Sequence, residues 1–441
     1  MAEVLRVIEP GILTTVQDLG RPGYQKFGIP VSGALDPVAL CLANALVGNP
    51  PEAAALEVTG GGVTVEALVE SVVAVVGADL PAFRDDTPVP CFCALRLMPG
   101  QRLRLGAPRV GLRTYLALHG GLEVPAVLGS RSTCLRLGFG GLAGRALRAG
   151  DVLVAGPPTA DLASLRGRHL PTSGRPPLAI PWIVRAVPGP QEDAFAREAL
   201  DTFFGSAYEV TLHTDRMGMR LTGPPLAHRR SADILSDAIP LGAIQVPGEG
   251  LPILLLADRQ TTGGYPKIAT AIGPDVAALA QARPGDAVRF VRVTVEEAHA
   301  AAREAAERLA RLEAAIAASA AEREYTFTLE GEATQATVRA VEEGWLVAVQ
   351  GEHHLVGRPA AVGEREAGAV LSPLPGLVVA VHVREGEAVR SGTRLLTLSA
   401  MKMEHTLTAP TAGTVAEIRV RPQQTVAVGD VLLRLTPLPP S

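Results

Sequence analysis

Lysine is nearly missing from this chain: of 41 Lys plus Arg residues only Lys26, Lys267 and Lys402 are lysine. The arginine excess reads as coding bias, and against it a retained lysine hints at a position that a guanidinium would not serve, at Lys402 more than at Lys26 or Lys267. Acylation of an amine on a flexible stem is one such job, since arginine offers no equivalent nucleophile. Aromatic residues are also scarce, at 4% with two Trp and five Tyr, which leaves few platforms for stacking bases. With a net charge of −4 there is no basic footprint either, so no nucleic-acid partner is expected. Long apolar runs are absent. The longest, around Val72–Val76 and Ile253–Ala257, are far too short to span a bilayer, so no membrane partner is expected. Met1 to Pro10 carries Glu3, Arg6 and Glu9 in a strand-like run instead of a basic-then-apolar leader, and cytoplasm is the expected compartment. Cysteine is sparse as well. Cys91 and Cys93 alternate as in a strand, Cys41 and Cys134 stand alone, and no second Cys/His pair has metal-like spacing, so no metal is expected.

At 441 residues the length suits two to four domains. Residues 1–160 are rich in short apolar runs, glycine and proline, with one clear helix from Asp36 or Pro37 to Val47. It has a cap residue, proline in the first turn and Gly48-Asn49-Pro50 as the stop. Gly156 to Pro181 is Pro-rich and reads as a linker. A second strand-rich unit follows over 181–293, with a helix expected from Gln191 to Phe203. Thr294-Val-Glu-Glu297 has capping-box spacing and opens a helical linker over 294–324, whose alanine-rich stripe suits a spacer or a lightly packed helix. Alternation returns over 325–368 as a small β unit of two hairpins.

Residues 369–437 contain an internal repeat. A shift of 37 residues places Pro373 on Pro410, Gly376 on Gly413, Val378 on Val415, Val389 on Val426, Leu395 on Leu432 and Leu398 on Leu435. Each half reads as short strands with glycine turns, giving a flattened β sandwich with pseudo-two-fold symmetry. Ala400-Met401-Lys402-Met403-Glu404 falls between the halves, where a tight hairpin exposes the lysine. This arrangement resembles the biotinyl carrier domain of biotin-dependent carboxylases. Methionines Met401 and Met403 on both sides of the lysine mark the biotin type, whereas lipoyl carriers usually show an acidic residue just before it. The resemblance implies biotin covalently on Lys402 and a biotin protein ligase as partner.

Two blocks in the first 290 residues end strands in loops of small and polar residues. One is Leu13 to Gln25 with Pro30 to Pro37; the other is Gly242 to Gly248 with Leu255 to Lys267. Glycines let backbone N–H groups approach a ligand closely, and hydroxyls and amides orient it. Asp258, Gln260, Thr261, Thr262, Tyr265 and Lys267 crowd one loop. Thr261, Thr262, Lys267 and the N–H groups of Gly263-Gly264 are candidate oxyanion donors. Asp258 is the candidate base or orienting acid, and Gln260 and Tyr265 are placed to position an amide. Asp258 reads equally well as a turn or cap carboxylate. Arg131 and Arg21 are candidates to hold a carboxylate, or else structural pairs of small consequence.

The strings TTVQDLGRPGYQ (14–25), VSGALDP (31–37), GSRST (129–133), TDRMGMRL (214–221) and GAIQVPGEGLPILLLADRQTTGGYPKIA (242–269) are similar to those of the allophanate hydrolase subunit 2 family. That family includes the C subunit of 5-oxoprolinase and part of the carboxyltransferase region of urea carboxylase. The resemblance covers residues 4 to about 295 and implies a mainly β (α+β) fold with a cyclophilin-like β-barrel core. At Leu235-Ser-Asp-Ala-Ile-Pro240 relatives usually read Ser-Glu-Gly, so Asp237 keeps the charge with a shorter reach and the local turn is altered. Together the two resemblances imply a carboxyltransferase and biotin carrier subunit that moves CO2 from carboxybiotin on Lys402 to a small amide or urea-like acceptor. A subunit 1-type homologue would complete the site. No ATP-grasp or P-loop pattern occurs, so a separate ATP-dependent biotin carboxylase is implied. One alternative is a part of an ATP-dependent amide hydrolase, like the 5-oxoprolinase C subunit, with a fused carrier. The other is a non-catalytic regulatory binding protein, for which a carrier domain has no use.

Overall fold

The run Val72-Val-Ala-Val-Val76 shows no polar alternation because both faces of its strand are covered. In the computed structural model it lies in Ser71–Asp79, within an antiparallel five-stranded sheet ordered Leu13–Gln17, Ala55–Thr59, Val110–Leu118, Ser71–Asp79, Ala94–Leu97. Val73 and Val75 turn toward a core shared with Val7, Val65 and Leu103 of a six-stranded antiparallel sheet. That sheet is ordered Val152–Ala155, Ala2–Pro10, Val63–Ala67, Arg102–Leu105, Ala82–Arg84, Thr87–Val89. Val72, Ala74 and Val76 turn the other way, into a core roofed by helices. The structure describes residues 2–437 apart from 176–177, 179, 320–322, 330–331, 342–343, 350–351, 358–368, 373–375, 391, 401–402, 410–411 and 427–429.

Helix α1 (Pro37–Leu46) starts where the sequence places it, with Asp36 Oδ1 accepting from Ala39 N at 3.0 Å and proline in the first turn. It buries Leu40, Leu42 and Leu46 on the five-stranded sheet. In the expected linker between Gly156 and Pro181, Leu165 and Leu170 instead sink into this same core. Helix α2 (Arg197–Gly205) is shorter than the expected Gln191–Phe203, since Phe195 adopts an extended backbone (φ −105°, ψ 150°) after the 3-10 turn Glu192–Ala194. Helix α3 (Gly273–Leu279) precedes the last strand of the barrel described below. Helix α4 (Val295–Ala318) has its capping box in place: Thr294 N donates to Glu297 Oε2 at 2.8 Å and Glu297 N donates to Thr294 Oγ1 at 3.2 Å. It is no free spacer. Leu309, Leu312 and the fully buried Ile316 pack it into the core around α1, so three larger residues do what the alanines cannot.

Seven strands close a barrel in the order Trp182–Pro188, Lys267–Ala271, Ala243–Gln245, Ile253–Leu255, Gly218–Thr222, Ala207–Val210, Ala287–Arg292. The first and last pair in parallel and so remove the sheet edges. Trp182, Phe203, Tyr208 and Phe290 fill it, with Phe203 stacked on Phe290 at a 4.5 Å centroid separation. An antiparallel meander of Arg323–Leu329, Glu332–Val341, Gly344–Val349 and Glu352–Gly357 follows. Residues up to Gly357 form one compact unit, and those from Arg358 a second.

The second unit holds two four-stranded sheets. One is ordered Ala369–Leu371, Val431–Pro437, Gly413–Ile418, Ala388–Val389; the other Met403–Thr408, Arg394–Ala400, Gly376–Val381, Thr425–Val426. The repeat-mated residues Val378/Val415, Val389/Val426, Leu395/Leu432 and Leu398/Leu435 are all buried in its core, as are Leu396/Leu433. The periodicity is thus the periodicity of the core. Because Leu396 and Leu433 are mates, Leu396→Ala and Leu433→Ala should each destabilise this unit by about 2–5 kcal/mol. Urea unfolding of the full chain reads this as a lowered midpoint for the carrier transition, and an unshifted midpoint contradicts it.

Candidate active site

Strand Ile253–Leu255 leaves the barrel, and the chain re-enters it as Lys267–Ala271. The excursion between them is held by the backbone. Asp237–Ala238 pairs with Thr262–Gly263, Ile239 N donates to Thr261 O at 3.0 Å and Ile234 N to Gly264 O at 2.8 Å. The altered turn at Asp237 is therefore a short antiparallel ladder. At Gly263 a Cβ would stand 2.7 Å from Ile239 Cδ1 and 3.0 Å from Gln245 Nε2, so a larger residue there would displace those two side-chain ends.

Lys267 and Asp237 form the polar centre of this region. The Lys267 side chain is 2% exposed and its Nζ lies 2.7 Å from Asp237 Oδ2, while the Asp237 side chain is 48% exposed. A buried ammonium thus meets solvent through one carboxylate. Gln191 Nε2 donates to the same oxygen at 3.1 Å, and Lys267 N donates to Gln191 Oε1 at 3.3 Å. The hydrogen bond from Lys267, with those from Ala238 N and Gln191, holds the Asp237 carboxyl below the usual carboxylate range. Next to them Gln245 Nε2 donates to Tyr265 O at 3.1 Å, and Gln245 Oε1 accepts from Gln260 Nε2 at 3.4 Å. The buried Gln260 Oε1 has no partner among the described residues. Thr262 and Tyr265 are exposed. Of the residues expected from sequence, Gln260, Thr261, Thr262, Tyr265 and Lys267 therefore belong to one loop surface, joined by Asp237, Gln245 and Gln191.

Asp258 sits elsewhere. Arg216 Nε donates to its Oδ2 at 2.9 Å and Arg216 Nη2 reaches its Oδ1 at 3.3 Å, with both side chains buried. Arg216 also binds Glu57 and donates to Gly33 O at 2.6 Å. Glu57 Oε2 accepts from Tyr115 Oη at 2.6 Å and from Leu35 N at 2.9 Å, and Asp36 N donates to Tyr115 Oη at 2.8 Å. Burial pushes the Glu57 carboxyl up, but Arg216, Arg113 and these hydrogen bonds outweigh it and leave it below the usual range. This network ties the barrel to the five-stranded sheet, and Asp258 fixes the first turn of the loop.

Arg131 and Arg21 lie in a third cluster. Asp18 accepts from Ser130 Oγ at 2.6 Å and from Arg131 N at 2.5 Å, and Arg131 Nη2 meets Glu123 Oε1 at 2.7 Å. Arg21 is fully buried, donates from Nη2 to Ser132 O at 2.5 Å and stacks over Phe139. Sequence reasoning passed over Gln191, Gln245 and Arg216. For Gln245 a signal existed, since a glutamine inside the apolar run Ala-Ile-Gln-Val must find partners when buried.

In the carrier unit the ladder between Arg394–Ala400 and Met403–Thr408 ends on the pair Ala400–Met403. Met401 and Lys402 lie outside the described residues, and of Met403 only its place at the start of the strand is described. A strand pair ending there, on a symmetric buried core, fits a site for covalent biotin. No helix of the described residues is long and apolar enough to cross a membrane.

Comparison with known proteins agrees with both units. The family described as carboxyltransferase domain, subdomain A and B, matches residues 27–292, and that described as biotin-requiring enzyme matches residues 368–435. The 5-oxoprolinase C subunit of Escherichia coli (strain K12) is 43% identical over 67% of this chain and 93% of its own length. The propionyl-CoA carboxylase alpha chain of Homo sapiens is 40% identical over 17% of this chain, at the carrier end, and 10% of its own. The crystal structure of the K. lactis urea amidolyase superposes with a TM-score of 0.67 at 28% identity, covering 80% of this chain but only 23% of that one. The chain is an enzyme component that carries biotin, with a mainly β fold around a barrel, and it belongs to the carboxyltransferase domain family of subdomains A and B.

Proposed function

We propose that this chain is the carboxyltransferase and biotin carrier subunit of a biotin-dependent carboxylase, acting on a small amide or urea-like acceptor. The observation that carries the reading is the Lys267–Asp237 pair beside Gln245 and Gln260, in a chain that also brings its own biotin domain. Biotin on Lys402, when bound, supplies the nitrogen on which a carboxyl group travels. The chain's residues do the rest. Lys267 places a buried positive charge where an oxyanion develops, and the low-dielectric wall around it strengthens that interaction. Gln260 Oε1, lacking a partner among the described residues, is the acceptor an amide N–H satisfies, and the exposed Tyr265 stands on the same loop. Asp237 orients Lys267 and is a poor base, because its carboxyl is held below the usual range. Asp258, locked on Arg216, positions the loop. A subunit 1-type homologue completes the site, a separate biotin carboxylase loads the carrier, and a biotin protein ligase modifies it.

A second reading, an ATP-dependent amide hydrolase component, is favoured by the identity to the 5-oxoprolinase C subunit over 93% of that protein. The fused carrier favours the first. The test is turnover of the reconstituted complex on urea, simple amides and 5-oxoproline, with and without bicarbonate. Turnover that requires bicarbonate supports the carboxylase, and turnover without it sinks that reading. Lys402→Arg should abolish biotin incorporation completely, seen as the missing mass increment of the intact chain.

A further inference from the structure

Besides the backbone groups of Gly33, Leu35 and Asp36 that join the Arg216–Glu57 network, the motif Val31-Ser-Gly-Ala-Leu-Asp-Pro37 lines a cavity of about 190 Å³ beside Arg259. Its walls are mostly apolar, with Leu35 and Val276 inside and the exposed Leu19 and Leu241 where it meets solvent. Two polar side chains also line it: Ser32, 4% exposed, and Arg259, 6% exposed. Ser32 Oγ has no hydrogen-bond partner among the described residues. Arg259 spends Nε on Ile239 O at 3.0 Å and Nη1 on Leu256 O at 3.2 Å. It has no carboxylate partner among the described residues, unlike the equally buried Arg216 with its two. Burial alone pulls the Arg259 guanidinium below its ordinary pKa, with no anion to offset it.

Desolvating a charge without a counter-ion is costly, and so is an orphaned buried hydroxyl. When both occur in one cavity, a single ligand relieves both. We propose that this cavity binds a small organic monoanion, its carboxylate taken by Arg259 Nη2 and Ser32 Oγ and its apolar body by Leu35 and Val276. One guanidinium and one hydroxyl match one negative charge; a dianion would bring a second charge into apolar walls. The volume is below the ~300–1,000 Å³ usual for larger ligands, which limits the anion to a few carbons. Ser32 holds φ at 57°, an uncommon conformation for a non-glycine residue, and a hydroxyl with a ligand to meet accounts for serine there. The site does not depend on the carboxyl-transfer reading.

Calorimetric titration of the full biotinylated chain with isobutyrate, its neutral isostere isobutyramide, and chloride at equal ionic strength tests it. Isobutyrate should bind at least tenfold more tightly than either comparator, and Arg259→Gln should weaken it at least tenfold. Ser32→Gly keeps the backbone conformation at no steric cost, so its loss of affinity decides the matter should Arg259→Gln misfold. Failure of isobutyrate to bind, equal binding of isobutyramide or chloride, or unchanged affinity in Ser32→Gly overturns the proposal.

Discussion

Arg216→Met should cost the first unit about 3–5 kcal/mol, because it strands two buried carboxylates, Glu57 and Asp258, on one spot. Methionine fills much of the same volume, so the loss is electrostatic and not a cavity effect. The pH dependence separates this from generic damage. In the native chain the Glu57 carboxyl lies below the 4.5 of an unperturbed Glu, so its contribution is present above that value and is lost as pH falls through the lower folded value. Arg216 is the largest of the influences that lower the Glu57 pKa, so without it the folded pKa rises, with desolvation opposed only by Arg113 and the Tyr115 and Leu35 hydrogen bonds. The ionised form is then less stabilised at neutral pH than in the native chain, and that difference fades on acidification. Urea unfolding at about pH 5 and about pH 7.5 should therefore show a smaller Arg216→Met deficit at the lower value. A deficit that grows toward acid would mean the network is not what holds barrel to sheet.

Lys267→Gln is expected to lower the rate of carboxyl transfer by about 10²–10³, the usual effect of removing one preorganised donor to an oxyanion. Biotin incorporation at the other end of the chain should not change. Stability should fall little, because the Asp237 carboxylate left behind is half exposed and can be hydrated. A structural role alone would produce the reverse pattern, with a clear drop in unfolding midpoint and a transfer rate close to normal. Lys267→Arg should not rescue the rate, since a planar fork cannot occupy a pocket built for a compact ammonium.

The carrier was legible in sequence because its symmetry is carried by core residues: the mated pairs Val378/Val415, Val389/Val426, Leu395/Leu432, Leu396/Leu433 and Leu398/Leu435 are all buried. Helix starts were legible for a related reason. Asp36 and the Thr294/Glu297 box act within three residues, so their partners stand beside them in the sequence. The loop from Asp258 to Lys267 was visible as a crowd of polar residues, but the partners that sort it were not. Asp258 finds Arg216 at a separation of 42 residues and Arg216 finds Glu57 at 159, and no local pattern encodes such pairings. In sequence Asp237 is only a departure from a familiar string; the short ladder with Thr262–Gly263 sets it beside Lys267. Between Gly156 and Pro181 the proline content speaks for a linker, while Leu165 and Leu170, which pack into the core, are single residues without periodicity.

Single-turnover discharge tests the central claim most directly. The biotinylated chain is loaded with labelled carboxyl by a biotin carboxylase, freed of bicarbonate and ATP, and mixed with the subunit 1-type partner and a small amide acceptor. The account predicts that label leaves the wild-type chain and appears on the acceptor, that Lys267→Gln loads normally but discharges slowly, and that Lys402→Arg never loads. Label released at the same rate from wild type and Lys267→Gln, or never found on any acceptor, would contradict it.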